Sequence, residues 1–373
     1  MVEALRERVG GEAGGSVHFG ATSQDILDTA MMFIVRDGLT LLASDVERVC
    51  AACARLARAH RHSLMAGRTL LQQAVPITFG LKAAGWLTAS QAAAAALARV
   101  QREGLAVQLV GAAGTLASLG HDGTAVLTLF ADETGLAEPL LPWHTDRTRV
   151  VAVGTAVSMT CGVMGKIALD IQLLAQTEVA EVSEPAAAGR GRSSAMPQKR
   201  NPVGAVAVSA GVRRAQALGS LVLASMVQEH ERAAGAWQAE WETISDMLRL
   251  SAGAASTTAT VLEGLHVDTR RMRSNLDAGG GLIMAEALAT GLAPVLGNAE
   301  ARARVTAICN SAAARKISLG EALAGEADIT ARFSADELRD MLDPARYLGS
   351  TQAFIDRALA AYEGARTGDR TVG

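Results

Sequence analysis

Residues 146–182 read DRTRVVAVGTAVSMTCGVMGKIALDIQLLAQTEVAEV and predict one long helix. Two series of mostly apolar side chains recur in it every seven residues, and the second series follows the first by three residues. The first series is Val150, Val157, Met164 and Ile171, and the second is Val153, Thr160, Ile167 and Leu174. Such an a/d stripe is typical of a helix that packs along other helices. We therefore expect a fold built from long helices.

The rest of the chain supports this all-α fold class. Four further long helices are predicted, over about 23–60, 76–108, 201–230 and 236–264, and a short one over 124–134. Alanine-rich runs such as Gln91–Arg99, together with an aromatic content of 3%, favour helices over a sheet. The segment around 67–69 is interpreted as a connector that leads to Pro76 in the first turn of a helix.

Changes in composition along the chain predict three parts. Residues 1–22 hold a short charged helix and a glycine-rich connector, and are interpreted as the remnant of an N-terminal domain. Residues 23–266 form the central bundle of long helices, including the loop 189–202. After residue 266 the helices shorten and glycine and proline become frequent, so 267–373 is predicted to be a smaller C-terminal helical domain.

Composition also excludes several classes of function. The formal charge is −3 and no basic block occurs, so no nucleic-acid partner is expected. Four scattered cysteines (Cys50, Cys53, Cys161 and Cys309) fit a reducing cytoplasm, and the C-x-x-C pair is interpreted as structural thiols rather than a metal site. Neither a signal peptide nor a membrane-spanning run is predicted, so we expect a soluble, cytoplasmic protein with no membrane partner.

The loop 189–202, GRGRSSAMPQKRNP, has the composition of a mobile loop with chemical groups in it. Ser193 or Ser194 could move a proton, and Lys199 could hold an anion such as a substrate carboxylate. Asn201 is suited to begin the following helix. On composition alone, a solvated basic loop between two helices is the better supported interpretation.

A second polar cluster is VHFGATSQD, at 17–25. His18 is a candidate acid, base or anion donor, and the hydroxyls of Thr22 and Ser23 lie at a helix N-terminus, which attracts anions. A helix cap with a satisfied histidine is an alternative of equal weight.

Two more clusters lie next to predicted helices. In GRTLLQQ (67–73), Arg68 and Thr69 could clamp a carboxylate while Gln73 gives neutral hydrogen bonds, although Arg68 could equally be a surface charge.

In WHTDRTR (143–149), His144 and Arg149 could face a shared cleft. Arg147 lies two residues from Arg149, so only one of these arginines points at a common site. The tryptophan-containing segment 229–241 is interpreted as interhelical packing with a salt-bridged turn.

Together these clusters resemble the fumarase/aspartase superfamily, whose signature loop reads G-S-S-x-M-P-x-K-x-N. Residues 193–201, SSAMPQKRN, match it, with Arg192 in place of the glycine. The stretches that resemble the adenylosuccinate lyase branch, in the same order, are 18–25, 68–69 and 166–185. Within that branch, residues 142–145 (PWHT) and 229–241 look most like the bacterial 3-carboxy-cis,cis-muconate cycloisomerases.

The resemblance implies a long-helix bundle of the fumarase/aspartase type, a homotetramer whose active sites are shared between subunits, and no cofactor. It implies an enzyme of aromatic degradation that closes 3-carboxy-cis,cis-muconate to 4-carboxymuconolactone by intramolecular carboxylate addition with proton transfer. Two alternatives remain: a lyase of the superfamily that releases fumarate by C–N or C–O β-elimination, and a non-catalytic helical scaffold. In every enzymatic case the partner is a small polycarboxylate.

By the family's motif, Ser193 is the catalytic serine, and we also assign a catalytic role to His18. The residues predicted to bind substrate are Thr22, Ser23, Arg68, Thr69, Gln73, His144, Arg149, Ser194, Lys199 and Asn201. Gln73 and Val206 stand where the lyases of the superfamily place a catalytic histidine and its glutamate partner. Their presence argues against an adenylosuccinate lyase, but less against a cycloisomerase, because the latter need not protonate an amine leaving group.

Overall fold

The computed structural model describes residues 1–185, 191, 196 and 198–368. In these residues the chain is mainly helical, with four short strands, which confirms the predicted fold class. The helices are Val2–Val9 (α1), Gly11–Ser16 (α2), Ser23–Ala59 (α3), Phe79–Glu103 (α4), Gly123–Thr134 (α5), Thr148–Leu174 (α6), Val203–Ala224 (α7), Ala236–Glu263 (α8), Thr269–Asp277 (α9), Ala285–Leu296 (α10), Asn298–Arg315 (α11), Leu319–Ala324 (α12), Ala327–Thr330 (α13), Ala335–Met341 (α14) and Thr351–Thr367 (α15). The strands are Leu64–Thr69 (β1), Gln72–Thr78 (β2), Val182–Ser183 (β3) and His266–Val267 (β4).

The heptad stripe of α6 is buried along its whole length. Each of its eight predicted positions, from Val150 to Leu174, is at most 4% exposed. Helix α3 has a stripe of the same kind, in which Met32, Val35, Leu39, Leu42, Val46 and Val49 are each at most 1% exposed. The predicted seven-residue stripe of α6 is therefore confirmed as a buried face.

By length and composition, α6 is the one described helix that could cross a membrane by itself, with a mean hydropathy of 1.6 in its most apolar window. A second, broken span would be α9 together with Leu282–Leu296, which are bent by 78°. Half of the apolar window of α6 is buried inside the chain.

The segment before α4 was predicted to be a connector and the start of a helix, and this prediction is wrong. Strands β1 and β2 form an antiparallel hairpin, in which Pro76 pairs with Ala66. Gly67 lies at a bulge of β1, where a Cβ atom would come within 2.7 Å of the carbonyl oxygen of Val75. Because the sheet has only two strands, each is an edge strand, which tolerates a proline.

Three predicted helices are shorter than expected, and the first of them, α4, ends at Glu103 instead of near Gln108. Helix α6 ends at Leu174 instead of Val182, because the chain turns back and the N–H of Glu181 donates to the carbonyl of Leu174 at 2.8 Å. Helix α7 ends at Ala224 instead of near His230. There, the side chain of Gln228 donates to the carbonyl of Ser225, and such local bonds replace those of a helix.

The chain divides into two compact units, whose boundaries fall inside long helices. The first unit is Met1–Val49, Ser90–Leu169 and Gly204–Thr260, and the second is Cys50–Ala89, Asp170–Val203 and Val261–Gly373. The second unit has an apolar core formed by helices α9 to α14, with Leu288, Leu292 and Ile308 at most 2% exposed. The predicted domain boundaries after residues 22 and 266 stay a prediction.

Candidate active site

The predicted site residues fall into two groups, one in each unit. The first unit contains His18, Thr22, Ser23, His144 and Arg149, and the second contains Arg68, Thr69, Gln73, Lys199 and Asn201. The predicted catalytic Ser193, with Ser194 and Arg192, lies outside the described residues. Each group is therefore described by itself.

In the first unit, the buried carboxylate of Asp25 connects three loop segments. Its Oδ2 accepts the backbone N–H of Thr22 and that of Gly111, both at 3.0 Å, and its Oδ1 lies 2.8 Å from Nε2 of His144. Asp25 thereby acts as the acid of a capping box, since it satisfies the N–H group just before α3. The N-terminus of this long helix, with Thr22 and Ser23, is thus held in a fixed place.

Position 111 requires a glycine. Its φ of +74° lies in the left-handed region, and a Cβ atom would come within 2.9 Å of the carbonyl oxygen of Gly20. The segment that contains Gly111 therefore lies directly against the segment that contains His18, which is itself half-buried with a φ of 63°.

His144 is only 3% exposed, and its two ring nitrogens have different surroundings. Nε2 faces Asp25, while Nδ1 is buried and has no hydrogen-bond partner among the described residues. A carboxylate beside Nε2 favours the tautomer that carries its proton there, which leaves a lone pair on Nδ1. The backbone carbonyl of His144 accepts from Nε2 of Gln24 at 2.9 Å, so the ring is fixed at both ends.

Arg147 belongs to a buried ionic cluster next to this dyad. Its guanidinium donates to Asp28 at 2.9 and 3.1 Å and to Glu240 at 2.5 to 3.1 Å. It also lies 5.1 Å from the ring centroid of Trp143. Two carboxylates share this one cation, and burial raises the pKa of Glu240 above its ordinary value. Arg147 therefore has a structural role. This agrees with the prediction that only one of Arg147 and Arg149 points at a common site.

Arg149 is half-buried and donates to the backbone carbonyls of Glu103 and Gly104 at 3.3 and 3.2 Å. These neutral acceptors leave its positive charge without a carboxylate partner among the described residues. Of the two arginines, Arg149 is thus the one whose charge remains available for an anion.

The predicted packing of the tryptophan-containing segment is confirmed, but in its turn Glu229 and Arg232 bond backbone groups instead of forming the predicted salt bridge. The rings of Trp237 and Trp241 lie edge to face with centroids 5.1 Å apart, and Nε1 of Trp237 donates to Asp28 at 3.1 Å. Glu229 accepts the N–H of Ala234, a backbone hydrogen bond that lowers its pKa. We assign these residues to the packing of the first unit.

In the second unit, Arg68 is held by a buried carboxylate. Its Nη1 and Nη2 donate to the two oxygens of Glu181 at 3.0 and 2.7 Å, and the side chain of Glu181 is 0% exposed. Asn275 also donates to Glu181, and its carbonyl accepts from Nε2 of Gln73 at 3.1 Å. These contacts favour a structural role for Arg68 over the predicted carboxylate clamp.

The two ends of the serine-containing loop are joined. The N–H of Asn201 donates to the carbonyl of Gly191 at 2.9 Å, and a Cβ atom at Gly191 would lie 2.8 Å from the carbonyl oxygen of Asn201. Lys199 is exposed, so its ammonium can reach a ligand.

Comparison with known proteins places the chain in a family. A model of the lyase family matches residues 1–217, which is more than half of the chain, and a model of the adenylosuccinate lyase C-terminus matches residues 281–358. The chain belongs to the lyase family. The resemblance to the fumarase/aspartase superfamily is thereby confirmed.

Several members of the lyase family are similar over almost the whole chain. The nitrosuccinate lyase of Streptomyces davaonensis is 47% identical, over 96% of this chain and 78% of that protein. The 3-carboxy-cis,cis-muconate cycloisomerase of Bradyrhizobium diazoefficiens is 44% identical, over 97% of this chain and 81% of that protein. The crystal structure of the 3-carboxy-cis,cis-muconate lactonizing enzyme of Pseudomonas putida superposes with a TM-score of 0.91 at 39% identity, over 97% of this chain and 81% of that one.

Sequence reasoning missed the acids that organise both groups. The sequence patterns described above assign no partner to Asp25, Asp28, Glu240 or Glu181. A usable signal was present for Asp25 and Asp28, since two acids three residues apart lie on the same face of a helix and need polar partners if that face is buried.

Proposed function

We propose that this member of the lyase family closes a carboxylated cis,cis-muconate to a lactone. The observation that carries the proposal is the 44% identity to a 3-carboxy-cis,cis-muconate cycloisomerase over 97% of the chain. The site residues fit a substrate of this class, because they offer hydroxyls, amides and the cations of Arg149 and Lys199 rather than exposed apolar groups.

In the proposed reaction, one carboxylate of the substrate adds across its own C=C bond, and a proton goes to the carbon next to another carboxylate. The negative charge that develops on that carboxylate has to be stabilised by fixed donors. Lys199 and Asn201 provide them in the second unit, and the N-terminus of α3, with Thr22 and Ser23, provides them in the first. His18 and Arg149 complete the anion-binding groups in this proposal.

Ser193 carries the proton in this reaction. A free serine hydroxyl is a weak acid and a weak base, so the closed loop has to exclude water and surround it with donors. Among the described residues, the N–H of Asn201 donates to the carbonyl of Gly191, which holds together the chain on the two sides of the serines.

We further propose that the enzyme is a cytoplasmic homotetramer with shared active sites. Helix α3 carries an exposed apolar row at seven-residue spacing, Leu27, Ile34 and Leu41, which are 46%, 52% and 67% exposed. An exposed row of this kind suits a helix of another copy. Light scattering should give a mass of four chains, and a stable monomer would contradict this part of the proposal.

A second candidate is C–N elimination from nitrosuccinate, favoured by the 47% identity to a nitrosuccinate lyase. Nitrite is a good leaving group, so this elimination, like the lactonisation, does not need the histidine that Gln73 replaces. Both reactions pass through an enolate-like dianion, which the same donors stabilise.

The purified enzyme should be incubated with each substrate in parallel. The proposal predicts loss of the ultraviolet absorbance of 3-carboxy-cis,cis-muconate, with no nitrite or fumarate formed from nitrosuccinate. Nitrite release with a stable muconate would replace the first candidate by the second. Binding of both compounds without turnover of either would favour a non-catalytic scaffold.

A further inference from the structure

A groove between helices α10 and α11 of the second unit has no part in the proposed function. Its volume is about 450 Å³. This is within the range of about 300–1,000 Å³ that is usual for small-molecule sites. None of the predicted site residues belongs to it, and the residues that line it are Glu286, Ala289, Thr290, Ala293, Pro294, Asn298 and Arg302.

The least exposed part of the groove is apolar and consists of small side chains. Ala289 and Ala293 are half-buried and pack against the apolar core of the second unit. The other lining residues are exposed. An aliphatic group of a ligand can therefore lie over the two alanines and remove apolar surface from water.

Helix α10 contributes hydrogen-bond acceptors to the groove. Glu286 forms no ion pair with any residue that the structure describes, so its carboxylate can accept from a ligand. Pro294 lies inside α10 and has no N–H, so the carbonyl of Thr290, four residues before it, lacks its usual helical donor. The Thr290 hydroxyl donates to the carbonyl of Glu286 at 2.9 Å, which leaves its lone pairs for another donor. Acceptors of this kind suit an ammonium group.

Helix α11 contributes donors. Arg302 forms no ion pair in the described part of the chain, whereas Arg304 on the same helix pairs with Glu300 and Asp328. Asn298 lies one turn before Arg302, so both side chains lie on the same side of α11. A guanidinium and a carboxamide N–H are suited to bind a carboxylate.

The two helices therefore offer opposite chemistry to one ligand. Glu286 and Arg302 line the same groove but do not pair with each other. A molecule that carries both an ammonium and a carboxylate can bridge them, whereas a molecule with one charge leaves the opposite side without a partner.

We propose that this groove binds a small zwitterion of the aliphatic α-amino acid class. The ammonium contacts Glu286 and the carbonyl of Thr290, and the carboxylate contacts Arg302 and Asn298. The aliphatic side chain lies over the alanines. An α-amino acid is suitable because a single carbon separates its charged groups, which is short enough for a space between two helices packed side by side.

Saturation-transfer NMR with L-leucine tests the proposal. Two analogues have the same branched chain, since 4-methylpentanoate lacks the ammonium and 3-methylbutylamine lacks the carboxylate. We expect L-leucine to bind with a Kd below about 5 mM, and each analogue about fivefold more weakly or worse. No transfer to L-leucine at about 10 mM, or equal binding of all three compounds, would overturn the proposal.

Three variants locate the binding. Arg302→Gln and Glu286→Gln each remove one exposed charge, and each should weaken L-leucine binding about fivefold or more with an unchanged melting temperature. Ala293→Leu keeps both charges but fills the groove, so it should abolish binding. If Ala293→Leu lowers the melting temperature, the two glutamine variants decide the result.

Arg315→Gln is the matched control, because Arg315 is an exposed residue in the last turn of α11 and does not line the groove. This variant should bind L-leucine as the wild type does. Binding that survives both Arg302→Gln and Glu286→Gln would refute the groove as the site. Loss of binding in these two variants alone would support it whether or not the enzyme converts either candidate substrate.

Discussion

Arg147 donates to both carboxylate oxygens of Asp28, through Nη1 at 2.9 Å and Nη2 at 3.1 Å. Both side chains are buried, with 0% of Arg147 and 2% of Asp28 exposed to solvent. The pair joins the start of α3 to the start of α6. A buried ion pair of this kind contributes little compared with a well-packed apolar replacement, but removal of one partner leaves an uncompensated charge.

Arg147→Met should therefore destabilise the fold by about 3–5 kcal/mol, because Asp28 and Glu240 both lose their cation. Urea denaturation followed by circular dichroism measures the change. The control is Arg249→Met, which removes an exposed ion pair with Asp246 on α8 and should cost less than about 1 kcal/mol. Equal effects of the two substitutions would show that the cluster has no special role.

The raised pKa of Glu240 predicts a pH dependence of stability. Burial is the main cause, and Asp28, which competes for Arg147, adds to it. A carboxyl group whose pKa is higher in the folded state stabilises the fold at low pH, and this contribution is lost as the pH rises through the folded-state pKa.

In the Glu240→Gln variant, the side chain at position 240 cannot ionise. The unfolding free energy of the wild type relative to this variant should therefore fall as the pH rises above about 4.3, the ordinary glutamate pKa. Denaturant midpoints for both proteins across the acidic range measure it. A difference that increases with pH would mean that Arg147 stabilises the ionised form enough to reverse the effect of burial.

Substitutions in the bidentate pair of Arg68 and Glu181 can show whether Arg68 has a structural role or binds the substrate. We expect a coupling free energy of about 1–3 kcal/mol in a double-mutant cycle with Arg68→Met and Glu181→Met. Both single variants should lower stability. If Arg68→Met instead raises KM for the substrate while stability stays at the wild-type value, Arg68 is the carboxylate clamp that the sequence suggested.

The turn of the β1–β2 hairpin stores backbone strain. Leu70 and Leu71 have φ values of 49° and 67° and are 97% and 77% exposed, so they occupy a left-handed conformation without gaining burial. Bulky residues cost about 1–2 kcal/mol each in this region, which asparagine and glycine tolerate.

Replacement of the pair by Asn-Gly should therefore raise the unfolding free energy by about 2–4 kcal/mol. Urea denaturation of the double variant measures it, and an Ala-Ala variant, which keeps the strain, is the control. If the Asn-Gly variant is less stable than the wild type, the two leucines have a packing partner outside this chain.

Long-range contacts set the limit of what the sequence could predict. The eight heptad positions of α6 were correct because a buried stripe follows from local periodicity alone. The hairpin was missed because its turn contains no glycine or asparagine, and because Pro76 is typical of a helix start.

The same limit holds for the site. His144 was selected from its neighbours in sequence, but its partner Asp25 lies 119 residues away. No spacing rule connects Asp25 to Gly111 either. The sequence shows that Arg68 carries a positive charge. Its ion pair with Glu181 could not be predicted, because it depends on a chain reversal after α6 that no local pattern encodes.

The most direct test of the proposed reaction is turnover of 3-carboxy-cis,cis-muconate in D2O, followed by proton NMR, for the wild type and Ser193→Ala. The wild type should form a lactone with one deuterium on the carbon next to a carboxylate, and the variant should be slower by a factor of about 10²–10⁴ with an unchanged melting temperature. A wild type that forms no lactone, or a variant within about twofold of the wild-type rate, would contradict the account.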